Sequence, residues 1–315
     1  MPSPGAPSYW RALEPVDIVH AGFYAFVLLV SAVRAATLPH PAATFAWYGA
    51  ALAGTLALAR ALRGRTGLAA TLPRAVWTMI SAPVTFLMLG GVVPYVNPFH
   101  AERWLKAADD ALFLGHNPNL LLDQMAWPPL TEVLQINYSL YYFIPVVLIG
   151  SLLAAREDEA ASRALFLVIL CLYASYVGYF LLPATGPNVN RLGLYPPHFK
   201  DPMPGVWVAE KIRLALSEAE SIKHDCWPSG HTALSWTCLM LARREHSRAA
   251  FWLLLAPVVM LIFSTMYLRY HYVVDVLFGF ALAWAVLKFG PRVHDRRYAF
   301  AAAGASQATL PPGRK

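Results

Sequence analysis

The chain has 315 residues, 57% hydrophobic and 14% charged, with a mean hydropathy of +0.46. That balance excludes an ordinary soluble domain and places the chain in the membrane class. The net charge of +7 does not point to nucleic acid, because Lys and Arg cluster beside apolar runs, as they do at membrane boundaries.

In chain order, residues 1–15 are Pro-rich and read as loose. The first apolar run, 17–36, is long enough to remain in the bilayer as an uncleaved span. Runs at 42–62 and 75–95 follow. Near 99–114, Trp104, Leu105, Ala108, Ala111 and Leu112 recur at helical spacing, with Glu102, Lys106, Asp109 and Asp110 on the other side. That pattern predicts an amphipathic helix in the interface or capping a bundle, ended by Gly115 and Pro118. Further spans are expected at about 133–154 and at 164–182. The longest hydrophilic segment, 183–228, comes next. The last three spans are expected at 230–242, 249–268 and 272–289, followed by a basic, disordered tail from 291 to 315. The expected fold is an all-α polytopic membrane bundle of about eight transmembrane helices. Of the three cysteines, Cys171 and Cys238 fall in spans as inert thiols, and Cys226 stands in the polar loop without an obvious partner.

Eight spans put both termini on one side. Sixteen of the 25 Lys and Arg residues fall on that side, densely in the short loops 60–74 and 243–248. The positive-inside rule then makes the termini cytoplasmic and the long loop periplasmic, exterior or lumenal.

That loop ends in Trp227-Pro228-Ser229-Gly230-His231-Thr232. Proline suits a first helical turn and Ser229 suits the cap. The unpaired N–H groups of such a start attract anions. His231 stands inside this start. The seventh span returns to the same face with Arg269-Tyr270-His271 and, four residues after His271, Asp275. On a helix that spacing shares a face, and a carboxylate on one ring nitrogen fixes the tautomer and leaves the other nitrogen free to attack. A carboxylate within an apolar run costs ~2.5–3.5 kcal/mol on insertion scales, which argues for a role. Alone, His231 fits a packed histidine and Arg269 fits a snorkelling anchor as well as a phosphate ligand.

Pro228-Ser229-Gly230-His231 followed by His271-x-x-x-Asp275 resembles the second and third motifs of the type 2 phosphatidic acid phosphatase superfamily. The resemblance implies a six-helix core over 71–290, including the amphipathic helix, with two extra helices in residues 1–70. It implies His271 as the nucleophile of a phosphohistidine intermediate, Asp275 orienting it, His231 as acid and base, and Ser229 and Gly230 on phosphate oxygens. The superfamily's first motif is missing; Pro183-x-x-Gly186-Pro187-Asn188 stands in its place, and Thr265 replaces the usual Ser-Arg opening of the third. Both departures, and Asp109 to Gly115-x-x-Pro118, resemble the branch of inositol phosphorylceramide synthase-like lipid phosphotransferases. Arg191, Arg269, Lys211 and Lys223 are the candidates to replace the missing cations. The implied partners are a lipid phosphate or phospholipid donor and a hydroxyl acceptor such as inositol, or water. No metal or cofactor is implied. The third to fifth spans would form a lateral entrance for the lipid. Two readings of other classes stand beside this one. They are a zinc hydrolase using His231, His271 and Asp275 with His224 or Asp225, and a transporter.

Overall fold

The computed structural model describes residues 13–219, 222–245 and 247–308. The helices are α1 (Pro15–Val33), α2 (Pro41–Ala61), α3 (Leu68–Leu89), α4 (Val93–Val96), α5 (Glu102–Leu112), α6 (Pro118–Asp123), α7 (Pro128–Ser139), α8 (Phe143–Ala154), α9 (Asp158–Leu181), α10 (Ala209–Ala219), α11 (Gly230–Arg244), α12 (Arg248–Tyr267) and α13 (Val273–Ala308). There is no strand among the described residues, so the chain is an all-α bundle. Seven helical stretches among those residues are long and apolar enough to cross a membrane, α7 and α8 counting as one. The expected eighth, α11, has 15 residues and reaches only about 22 Å. It is buried between α9, α12 and α13.

The centre of the bundle is α9. In its apolar window 72% is buried, against 28–39% in the other spans. Its neighbours include α1, α3, α8, α11 and α13. The extra pair α1 and α2 is fastened on by polar contacts. Arg74 of α3 pairs with Glu14 and Asp17 at 3.1 and 3.0 Å, and Glu14 and Asp17 form the capping box of α1. Midway, His20 Nδ1 meets Tyr173 Oη of α9 at 3.0 Å and its Nε2 meets Thr78 Oγ1 of α3 at 2.9 Å. Buried polar atoms that satisfy one another in this way lock helix against helix.

The amphipathic helix expected near 99–114 is present as α5. Glu102, Leu105 and Asp109 face the protein and are buried, whereas Trp104 is 70% exposed and Leu112 54%. In a lipid interface the apolar stripe turns outward and the carboxylates find backbone N–H partners inside. One expectation needs correction: the tail is not wholly disordered. Helix α13 continues past Gly290 to Ala308, while residues 309–315, like residues 1–12, lie outside the described ones.

Candidate active site

Three buried carboxylates build one end of the bundle. Glu132 of α7 accepts the N–H groups of Val206, Trp207, Val208 and Ala209 at 2.7–3.2 Å and so holds the start of α10. Glu102 accepts from Thr185 N–H and Oγ1 at 3.1 and 2.9 Å, tying down the Pro183–Gly186 segment. Asp109 accepts the N–H groups of Val273 and Val274 at 2.9 and 2.8 Å, capping α13 from another helix. Burial pushes Asp109 up to about 6 against the pull of those two donors.

The Trp227–Thr232 segment is wedged between α9 and α13. Ser229 is the N-cap of α11, its Oγ accepting the Thr232 N–H at 3.3 Å, as the sequence suggests. The Ser229 N–H donates to the Asp275 carbonyl at 3.0 Å. Gly178 of α9 permits the approach, since a Cβ there would lie 2.2 Å from Pro228 Cδ.

These elements bring His231, His271 and Asp275 together. His271 Nδ1 lies 2.9 Å from Asp275 Oδ2, and His271 Nε2 lies 3.4 Å from His231 Nδ1. The pairing does not arise from a shared helix face, as the four-residue spacing suggests. His271 stands in the turn between α12 and α13, and Asp275 reaches back to it from the first turn of α13. That turn contains Arg269 at φ +64°, a region costly for a residue with a Cβ. The His231 ring packs on Tyr141 and Tyr138, with centroids 4.4 and 4.8 Å away. Tyr141 belongs to the 3₁₀ turn Leu140–Tyr142, which breaks the α7–α8 span at this depth.

Two spaces meet at His231. One is an apolar groove between α3, α8, α9 and α11, lined by Ala82, Phe86, Val146, Leu172, Gly230 and His231 among others. Its rim residues Tyr142 and Val146 are exposed on the flank of the bundle. The other is a polar cavity of about 370 Å³, whose walls include Lys200, Arg213, Lys223, Asp225, His231 and His271.

The expected cations fall differently. Arg269 is buried and engaged by other partners: it pairs with Asp123, donates to the His198 carbonyl at 3.0 Å and covers the Phe199 ring. Arg191 donates to His224 Nε2 at 3.1 Å. Burial and this guanidinium hold His224 down to about 4, so it is a neutral acceptor. Neither Arg191 nor Arg269 lines the polar cavity, and neither do Ser229 and Lys211; Gly230 lines the apolar groove. Lys223 does line the polar cavity.

Two residues escaped the sequence reading. Arg213 of α10 is 8% exposed, its guanidinium lies 5.7 Å from the Tyr270 centroid, and its Nη1 has no hydrogen-bond partner. A buried cation with an unpaired N–H at a cavity wall is suited to an anionic ligand. Cys226 has a partner after all: its Sγ donates to Asp275 Oδ2 at 2.8 Å. Burial and that carboxylate hold the thiol well above its ordinary range.

Against known proteins, the sequence model described as the PAP2 superfamily matches residues 103–289. That stretch holds every residue of the cluster and both spaces except the α3 wall of the groove. No curated protein and no solved structure matches the chain.

Proposed function

The chain belongs to the PAP2 superfamily, a family of lipid phosphatases and phosphotransferases, and from that premise we propose that it moves a phosphoryl-containing group from a lipid donor to a hydroxyl acceptor through a phosphohistidine on His271. The observation that carries this reading is the position of His231 and its neighbour His271. His231 forms part of both the apolar groove and the polar cavity, and His271 beside it opens only to the polar one. A lipid lying in the groove would bring its phosphate to the junction. A polyol such as inositol, or water, would approach through the cavity.

In the first half-reaction His271 Nε2 attacks phosphorus and the P–O bond to the lipid alcohol breaks. His231 gives its proton to the leaving alkoxide. Asp275 keeps the Nδ1 proton in place and stabilises the charge on the ring. In the second half the acceptor O–H loses its proton to His231, its oxygen attacks phosphorus, and the P–N bond breaks to restore His271. Arg213, with Lys200 and Lys223, would hold the phosphate oxygens, a task the sequence reading gave to Arg191 and Arg269. The N–H groups at the start of α11, beside Ser229 and Gly230, would add donors. Transfer to a polyol is favoured over hydrolysis because the Pro183–Asn188 stretch resembles the inositol phosphorylceramide synthase-like branch. The distribution of Lys and Arg supports cytoplasmic termini and an opposite-facing site.

The test is product analysis with purified protein and a phospholipid donor, with and without inositol. An inositol-dependent product is expected. Release of free phosphate alone would make the protein a phosphohydrolase, and turnover by His271→Ala at the parent rate would remove the phosphohistidine.

A further inference from the structure

Among the described residues, one group of three metal-capable side chains draws together: Cys226, His271 and Asp275, all buried. The Cys226 Sγ lies 2.8 Å from Asp275 Oδ2 and 3.5 Å from His271 Nδ1, and those two are 2.9 Å apart. Asp275 Oδ1 is buried with no hydrogen-bond partner, which leaves a further oxygen at the same point. We propose that these three side chains form a binding site for a thiophilic divalent cation, zinc in the first instance, and that its occupation switches the His271 nucleophile off.

The geometry is close to what the ion needs. Tetrahedral zinc with bonds of about 2.0–2.3 Å sets neighbouring ligand atoms about 3.3–3.6 Å apart. The Cys226–His271 side already has that length, and the other two sides have to open, by about 0.4 Å between His271 and Asp275 and about 0.7 Å between Cys226 and Asp275. A thiolate with an imidazole selects zinc over magnesium or calcium. Access exists, since Cys226 and His271 both line the polar cavity, whose water can fill the fourth position.

The consequence follows from the proton count. Coordination releases the thiol proton to solvent and places the ion on His271 Nδ1. A neutral imidazole then carries its one proton on Nε2, where no lone pair remains to attack phosphorus. Zinc and the phosphohistidine therefore compete for one ring. This reverses the zinc hydrolase considered from sequence, which would need zinc with His224 or Asp225 as a further ligand, and of these two His224 is engaged by Arg191. The inhibitory half rests on the phosphohistidine reading; the binding half does not.

The test uses the detergent-solubilised full chain. Zinc binding, measured by competition with a chromogenic chelator, is expected at one equivalent. It should weaken at least tenfold in Cys226→Ser, Cys226→Ala and Asp275→Asn. Zinc should raise the melting temperature of the parent but not of the Cys226 variants. Parent-like binding in both Cys226 variants overturns the site. In the same samples, lipid phosphotransfer is expected to fall with zinc and return with chelator, each variant being scaled to its own zinc-free rate. Bound zinc without loss of transfer overturns the inhibitory role, and loss of zinc-free activity on chelation replaces it with a zinc requirement. A protein that transfers nothing defeats the proposed function, while the binding data still decide the site.

Discussion

Asp109 and Val273 are 164 positions apart and joined by a 2.9 Å hydrogen bond, from the Val273 N–H to Asp109 Oδ2. Through it the interfacial helix α5 sets where α13 begins, and hence where Asp275 can reach His271. Asp109→Ala removes a cap and is expected to cost about 1–2 kcal/mol, with a larger fractional loss of activity than of folded protein. Thermal melts beside turnover separate the two; a loss of activity no greater than that of folded protein would reject the positioning role.

The same carboxyl predicts a pH dependence. Its folded value of about 6 is raised above that of the unfolded chain. The folded state therefore binds more protons in the window from about 4 to about 6, and stability from this group falls as pH rises through it. Asp109→Asn should flatten the melting temperature between those pH values. An unchanged slope would show that the group titrates normally.

Within the proposed chemistry, His271→Ala, His231→Ala and Asp275→Asn should each lower turnover by about 10²–10⁴-fold. The losses should not add when combined, because the three act as a unit. Labelling with a radioactive donor, quenched in alkaline detergent because the P–N bond is acid-labile, is expected to trap phosphate on the parent and on Asp275→Asn, and none on His271→Ala.

Arg213→Ala is expected to weaken phosphate recognition by about 10–150-fold, the equivalent of a charged hydrogen bond of 1.5–3 kcal/mol. Glu132→Ala should produce a similar defect indirectly, by releasing the start of α10. Arg269→Ala should instead act on folding, because it leaves Asp123 with His198 alone as partner and uncovers the Phe199 ring. If Arg269→Ala alone reduced phosphate affinity in a fully folded protein, the assignment of the two arginines would be reversed.

Ala82→Trp should fill the apolar groove. It is expected to lower turnover of long-chain donors in vesicles at least tenfold while leaving a short-chain soluble donor nearly unaffected. Equal effects on both donors would place the lipid elsewhere.

Much of this was legible in the residues. Long apolar runs announced the spans because backbone in lipid must be helical. Ser229 announced its cap because capping is local. His231, His271 and Asp275 could be matched as motifs, although the reason they meet is a turn rather than a helix face. What stayed hidden depended on distant partners. Glu102 and Asp109 look like a solvated stripe until the loops they hold are known. Arg213 looks like one charge among several in a polar loop until Glu132 has placed α10. Cys226 has no sequence neighbour that reveals Asp275. Helix α11 was visible as a short run, but its burial against three longer helices was not.

The groove between α3, α8 and α9 opens on the side of the bundle, and this bears on how rates must be expressed. A donor that slides in sideways never leaves its two-dimensional solvent. Its governing concentration is a mole fraction in the surface, whereas an acceptor reaching the polar cavity obeys molarity. Diluting the donor with inert lipid at constant bulk concentration should slow the reaction, and diluting the whole suspension at fixed acceptor concentration should leave turnover per enzyme unchanged.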